Sequence, residues 1–373
     1  MKVLMTADTI GGVWTFAMEL IGALEAEGVE VGLATMGRMP SPDQRMQAAK
    51  LNNLTLFPSD YKLEWMTDPW QDIESAGRWL LKLRDRYQPD LIHLNTYVHA
   101  TLPWQLPVAV SAHSCMFSWW QAVRDKPFPK KWRRYRSAVK SALHQADVVI
   151  APTQAMAEAI EQLYEVPQKP RVIYNGRSPE MFKPGPKHPF ILSAGRFWDE
   201  AKNLQALDAV AADLCWPVYV AGPLQHPDRL AESPAYHARL LGMLPLMHMR
   251  QWMSRADIYA LPARYEPFGL SVLEAALAGC TLVLGDIPSL RELWDGAAAF
   301  APPDDTDALR DALQGLIKDP TRRRELAAES SRRALQLTPQ HQAPSYVAIY
   351  QSLLKAHKSP IDERMPAGQL AAS

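Results

Sequence analysis

Cysteine is scarce: three residues, Cys115, Cys215 and Cys280, are spread through 373 positions. They are odd in number and far apart, with no Cys-x-x-Cys spacing. That argues against a disulfide framework and excludes a paired zinc or redox motif, and it fits a reducing cytoplasm. No apolar run reaches the ~18 residues needed to cross a bilayer. The opening MKVLMTADTIGG lacks the long apolar core of a signal peptide, because Asp8 interrupts it. Net charge is absent too. Forty Lys+Arg balance forty Asp+Glu, so no global field recruits nucleic acid, and a membrane partner would need a local patch. No short fixed-period repeat occurs, and 31 scattered prolines exclude coiled-coil and collagen-like chains. The G-x-G-x-x-G nicotinamide fingerprint is missing. What remains is 47% hydrophobic and 21% charged, a composition for packed cores, with length for two or three domains.

Short apolar runs alternate with amphipathic segments. Lys2–Ala7, Val29–Ala34, Leu91–Leu94, Val108–Ala112, Val148–Ala151 and Arg171–Tyr174 read as strands buried on both faces. Phe16–Ala26 reads as a helix closed by Gly28. Parallel strands need crossover helices, so the class is α/β, doubly wound. Arg177–Pro189 holds four prolines in thirteen residues and reads as a linker. A second series follows, with strands at Phe190–Ala194, Val218–Ala221, Ile258–Pro262, Thr281–Gly285 and Ala298–Ala301. Its helices lie at Leu204–Ala212, Gly269–Ala278 and Thr306–Leu316. One more helix is expected over Tyr346–Lys355. The resulting division is an N-terminal Rossmann-like domain, 1–180; a C-terminal one, 190–340; a final helix, 341–357; and a mobile tail, 358–373. Such paired sheets bind ligands in the cleft at the carboxyl ends of their strands.

The segment Arg264-Tyr-Glu-Pro-Phe-Gly-Leu-Ser-Val-Leu-Glu carries the clearest chemistry. A strand ends, a loop holds Glu266, Pro267 and Phe268, and Gly269 opens a helix bearing Glu274. Free N–H groups at a helix start attract phosphate, and Gly269 permits close approach. Carboxylates flanking that start can accept hydrogen bonds from sugar and ribose diols. The layout suits a nucleotide sugar.

These residues resemble the E-x7-E motif of the retaining glycosyltransferases of family 4, which have the GT-B fold of two Rossmann-like domains facing across a cleft. Other segments are similar in the same order. Ser193-Ala-Gly-Arg196…Lys202-Asn203 resembles the family's V-G-R…K-x stretch. Ile173-Tyr-Asn175-Gly176…Phe182 resembles its interdomain segment, Gly11-Gly12 the glycines of its first loop, and Asp90-Leu-Ile-His93 and Ala112-His113 two strand ends. The resemblance spans about residues 1–355. Three positions depart from it: Ser114 after His113, Arg177-Ser178 after Gly176, and Cys280-Thr281.

The resemblance implies a retaining, metal-independent hexosyltransferase with a nucleotide-diphosphate sugar as co-substrate and no bound cofactor. It implies a saccharide or lipid-linked acceptor, in the assembly of a surface polysaccharide or glycolipid. Arg196 and Lys202 would clamp the diphosphate, helped by backbone amides near Phe268, Gly269 and Leu270. Glu266 would contact the transferred sugar and Glu274 the ribose. His113 would stand near sugar and acceptor, and Gly12 would let the first loop approach. Loops near Gly222 and Gly242 would meet the base, and the last helix would return to the N-terminal domain. His93 reads as a core histidine outside the catalytic set. Two rivals stand beside this reading. One is another enzyme on the same architecture, a nucleotide-sugar epimerase or a phosphorylase; the other is a non-catalytic binding protein that kept the donor site.

One patch departs from neutrality. Residues 124–140 carry eight basic side chains against Asp125 alone, with Phe128, Trp132 and Tyr135 interleaved and Trp119-Trp120 just before. Two readings stand together. One is peripheral contact with an anionic membrane face, or with a lipid-linked or acidic acceptor. The other is a solvated helix face whose aromatics turn inward.

Overall fold

The computed structural model describes residues 1–124, 126–225 and 237–358. The first sheet has seven strands: β1 (Lys2–Asp8), β2 (Glu30–Met36), β3 (Leu54–Pro58), β4 (Leu91–Leu94), β5 (Val108–Ser111), β6 (Val148–Ala151) and β7 (Arg171–Val172). Their order is β3-β2-β1-β4-β5-β6-β7, every pair parallel. The second sheet has six: β8 (His188–Ala194), β9 (Val218–Ala221), β10 (Arg239–Gly242), β11 (Ala256–Leu261), β12 (Thr281–Gly285) and β13 (Ala298–Ala301). Their order is β10-β9-β8-β11-β12-β13, again parallel throughout. In each sheet the order reverses beside the first strand, between β1 and β4 and between β8 and β11, and that switch point opens a crevice.

Alternation along β1 explains the layering. Val3, Met5 and Ala7 face the helix Gly12–Glu25, while Leu4 faces the opposite core with Leu80 and Leu83. Both faces are covered, so these strands read as unbroken apolar runs.

Two strands escape the sequence reading, β3 and β10. Both are sheet edges with half-exposed residues, which need no continuous apolar run. The expected strand over Arg171–Tyr174 is only two residues long. β8 begins at His188, inside the expected linker; Pro189 is tolerated because it stands at the start of the strand. The first helix begins at Gly12, four residues before the expected Phe16, which puts the glycine in its first turn.

The last helix runs from Pro339 to Lys358 with Pro344 inside it, rather than starting after that proline. It packs Tyr346, Val347 and Tyr350 onto the first sheet's core with Val3, Phe16 and Leu20. His93 is bridged between Ser111 Oγ and Tyr350 Oη, at 2.7 Å each. Burial pushes its pKa down to about 3, so this histidine is a neutral tie between sheet and returning helix. Where outgoing and returning chains cross, a Cβ on Gly176 would lie 2.3 Å from the carbonyl carbon of Thr338; only glycine fits. Of the expected tail, residues 359–373 lie outside the described residues.

Candidate active site between the two sheets

A cavity of about 630 Å³ lies at the carboxyl ends of both sets of strands. From the first sheet it receives the loop after β1. Asp8 Oδ1 accepts the N–H groups of Ile10 (2.9 Å) and Gly11 (2.6 Å), which turns the chain into the helix Gly12–Glu25. Arg196 follows β8 and reaches across to this turn: a Cβ on Gly11 would stand 2.7 Å from its Nη1. A Cβ on Gly12 would meet Leu270 Cδ1 at 3.5 Å, so the starts of two helices from opposite sheets face each other.

The short turn Glu200–Lys202 is capped by Asp199 Oδ1, which accepts from the Ala201 N–H at 3.0 Å. It presents Lys202, whose Nζ donates to Glu266 Oε2 at 2.6 Å. The other oxygen of Glu266 accepts the Gly269 N–H at 3.0 Å. Gly269 has φ +87°, a region that disfavours side chains; it starts the helix Leu270–Leu277. Burial alone would raise the Glu266 carboxyl. Lys202, then Arg196 and the Phe268 N–H, outweigh it and hold the group below the usual range. Glu266 is therefore an ionised, fixed acceptor.

This corrects one expectation. The Phe268 and Gly269 amides are engaged by Glu266 and are not free for phosphate. Leu270 and Ser271, in the first turn of the helix, have N–H groups without intrahelical acceptors and line the cavity.

His113 stands after β5. Asn95 Nδ2 donates to Thr6 O (2.7 Å), so Asn95 Oδ1 faces His113 Nε2 at 2.7 Å and accepts its proton. Nδ1 is thereby left as the bare nitrogen. Burial lowers the pKa to about 4. At neutral pH His113 is an uncharged hydrogen-bond acceptor, packed edge-on against Phe16 at 4.4 Å between ring centroids.

Every expected site residue lines this one cavity: Glu266, His113, Arg196, Lys202, Gly12, Phe268, Gly269, Leu270 and Glu274. Gly222 and Gly242 do not. Gly222 follows β9 and Gly242 ends β10; they are bonded to each other through Gly222 N–H and Gly242 O at 2.8 Å, and residues 226–236 between them lie outside the described ones.

The sequence reading missed Asp8, Asn95, Ser271, Tyr265 and Glu64. Asp8 ends β1 and Asn95 follows β4, a positional hint. Tyr265 bonds Ser118 Oγ at 2.7 Å, a pairing no local pattern announces. Glu64 sits in an irregular loop, is buried, and accepts the N–H groups of Tyr97 and Val98. Burial raises its pKa to about 7 against those bonds.

The basic segment is partly compensated. Arg124 pairs with Glu200, Arg134 with Glu74 and Lys140 with Glu165. Arg136 lies 4.2 Å from the Phe117 ring centre and Arg134 4.1 Å from that of Trp70. Tyr135 is buried, and Phe128 and Trp132 pack on the same core. Arg124, Lys131, Trp119, Trp120 and Trp132 line the cavity mouth. Asp125 lies outside the described residues. Among those residues no helix is long and apolar enough to cross a membrane.

Known proteins share this architecture. Sucrose-phosphate synthase from Thermosynechococcus elongatus superposes with a TM-score of 0.79 at 19% identity, over 95% of this chain and 99% of that one. Anabaena Alr3699/HepE, solved in complex with UDP-glucose, gives 0.70 at 17% identity, over 96% and 99%. In sequence, the D-inositol 3-phosphate glycosyltransferase of Jonesia denitrificans is 24% identical over 91% of each chain. The family model for Glycosyltransferase Family 4 matches residues 10–180, and that for Glycosyl transferases group 1 matches residues 188–319. With two parallel-sheet domains and both family models in sequence along it, the chain belongs to the family 4 type of GT-B glycosyltransferases.

Proposed function

We propose that the protein is a retaining, metal-independent hexosyltransferase that takes a nucleotide-diphosphate sugar and passes the sugar to a saccharide or lipid-linked acceptor. The observation that carries this reading is the convergence of Arg196, Lys202 and the first-turn amides of Leu270 and Ser271 on the cavity that also holds Glu266 and Glu274. The donor's diphosphate leaves an anomeric carbon with oxocarbenium character, so stabilising the departing negative charge is the main catalytic term. Two cations in a partly dry cleft supply that stabilisation. An ammonium has three donors, so Lys202 can keep its bond to Glu266 and still give one to phosphate.

Glu266, aimed and ionised, takes hydroxyls of the transferred sugar, and Glu274 takes the ribose. Neutral His113 accepts a hydroxyl hydrogen bond at Nδ1 near the reacting centre. Its one proton at neutral pH sits on Nε2 and is given to Asn95, so it is no acid toward the leaving group. That supports a departure stabilised by Arg196 and Lys202, with the leaving phosphate taking the acceptor's proton from the same face and the anomeric configuration kept. That relatives and neighbours carry names such as D-inositol 3-phosphate glycosyltransferase, and that one was solved with UDP-glucose, supports the donor class.

For residues 124–140 the inward-turned aromatics and paired cations support a solvated face whose inner edge forms the acceptor-side wall, over peripheral membrane contact. Loss of anionic-liposome binding in Lys130→Glu/Arg133→Glu would reverse that choice.

A thermal-shift panel of UDP-, GDP- and ADP-sugars, run in EDTA, tests the donor reading. A ligand at 100 times its Kd stabilises by about 2.7 kcal/mol, so one donor class should raise Tm. No rise with any of them overturns the donor site, and a rise that requires Mg²⁺ overturns metal independence. NMR of the product should show the donor's anomeric configuration.

A further inference from the structure

Arg177 follows Asn175-Gly176, where the chain passes between the sheets, and it is only 5% exposed. Its backbone N–H donates to Leu337 O at 3.0 Å, and its guanidinium lies 4.9 Å from the Phe182 ring centre. Nε donates to Glu274 Oε1 at 2.7 Å, and Nη1 donates to Glu19. Ser178 Oγ donates to the other oxygen of Glu19 at 2.6 Å. Glu19 belongs to the helix Gly12–Glu25, on the first sheet; Glu274 belongs to Leu270–Leu277, on the second. One guanidinium thus joins carboxylates from the two halves of the molecule. Glu274 lines the cavity, whereas Arg177 stands behind it.

We propose that Arg177 is a positioning residue for the donor: it aims the Glu274 carboxylate at the nucleotide ribose, supplies its counter-charge, and through Glu19 ties that hold to the seating of the first helix. The inference rests on Glu274 being the ribose-binding carboxylate. The physical basis is geometric. A carboxylate with one oxygen fixed by a planar guanidinium loses its rotational freedom before the ligand arrives, and it keeps lone pairs for a vicinal diol. Left alone at this depth, the charge would be costly.

The groups facing Glu274 are Arg177 from the interdomain segment, Glu19 from the first helix and Tyr259 from β11. Burial raises the Glu274 carboxyl, Arg177 opposes the rise, and Glu19 adds to it. Removing Arg177 therefore raises the group further, and removing the charge of Glu19 lowers it.

The test uses the nucleoside diphosphate that the thermal-shift panel selects among UDP, GDP and ADP, together with its 2′,3′-dideoxy form, titrated calorimetrically into the full chain. Wild type should prefer the ribonucleotide. Arg177→Gln should cut that preference by about tenfold or more, the scale of one charge-assisted bond, while leaving dideoxynucleotide affinity within about threefold. Arg177→Lys should restore part of it. As pH falls, ribonucleotide affinity should fail at a higher pH in Arg177→Gln than in wild type, and at a lower pH in Glu19→Gln. The two shifts have opposite sign, and the second variant keeps Arg177 in place should the first fold poorly. Equal loss of both nucleotides, or no pH shift in either variant, overturns the role of Arg177 alone. A wild type that binds ribo- and dideoxynucleotide equally overturns the ribose reading of Glu274 and the proposal with it.

Discussion

Lys202→Met separates what the Lys202–Glu266 pair does for folding from what it does for the reaction. The two groups are 2.6 Å apart, with side chains only 10% and 15% exposed. Removing the ammonium leaves Glu266 buried with only backbone N–H donors and the more distant Arg196. Breaking a buried pair by deleting one partner costs about 3–5 kcal/mol. Lys202→Met should lose that much unfolding free energy in urea at pH 7. Adding Glu266→Gln removes the orphaned charge and should return about 2 kcal/mol or more, a coupling that a double-mutant cycle reads directly. Without Lys202 the main charge opposing burial is gone, so the Glu266 carboxyl moves upward from its lowered position. The deficit relative to wild type should then shrink as pH falls and Glu266 takes up its proton. Activity should behave otherwise. Lys202→Met should lose about 10²-fold or more in kcat, and the double variant, which regains stability but also lacks the sugar-binding carboxylate, should regain none of it. Additive free energies would refute the buried coupling of the pair, and near wild-type kcat in Lys202→Met would refute the assignment of Lys202 to the leaving diphosphate.

Gly11→Ala tests the cross-cleft placement of Arg196. The backbone at Gly11 (φ −115°) accepts alanine, but the new methyl would lie 2.7 Å from Arg196 Nη1. Donor affinity should fall about tenfold while Tm hardly moves; unchanged affinity would mean that the position of Nη1 beside Gly11 is not the one that holds the diphosphate. Acid titration of stability forms the third prediction. The pKa of His93 is lowered to about 3, and those of His99 and His113 to about 4, all by burial. Their neutral forms stabilise the fold above the unfolded value of about 6.5. That contribution is lost as pH falls from there through 4, at about 1.4 kcal/mol per group per pH unit. Glu64, raised to about 7, works in the opposite direction: its protonated form favours folding below about 4.5, and this is lost as pH rises through 7. Three groups outweigh one, so urea midpoints should fall between pH 6.5 and 4.5. A flat profile would mean that the histidines are not buried neutral.

Local pattern was enough for much of this molecule. A central parallel strand covered on both faces must be apolar throughout, so β1, β4, β6 and β12 stand out in the sequence. A helix entered through φ +87° needs a glycine at its start, which makes Gly269 and its flanking glutamates visible as a unit. The partners that fix the cavity's side chains carry no such local mark. Glu64 is a glutamate in an irregular loop until the chain folds Tyr97 and Val98 onto it. His113 and Asn95 fix each other's polarity across two strands. Arg177 is one charged residue in a proline-rich stretch until Glu19 and Glu274, 158 and 97 positions away, close on it. The basic run at 124–140 reads as one patch by count, whereas pairing with Glu74, Glu165 and Glu200 divides it. Periodicity and backbone demand are written in neighbouring residues and can be read from them. Desolvation, charge pairing and tautomer depend on what lies across space, and only the folded chain decides them.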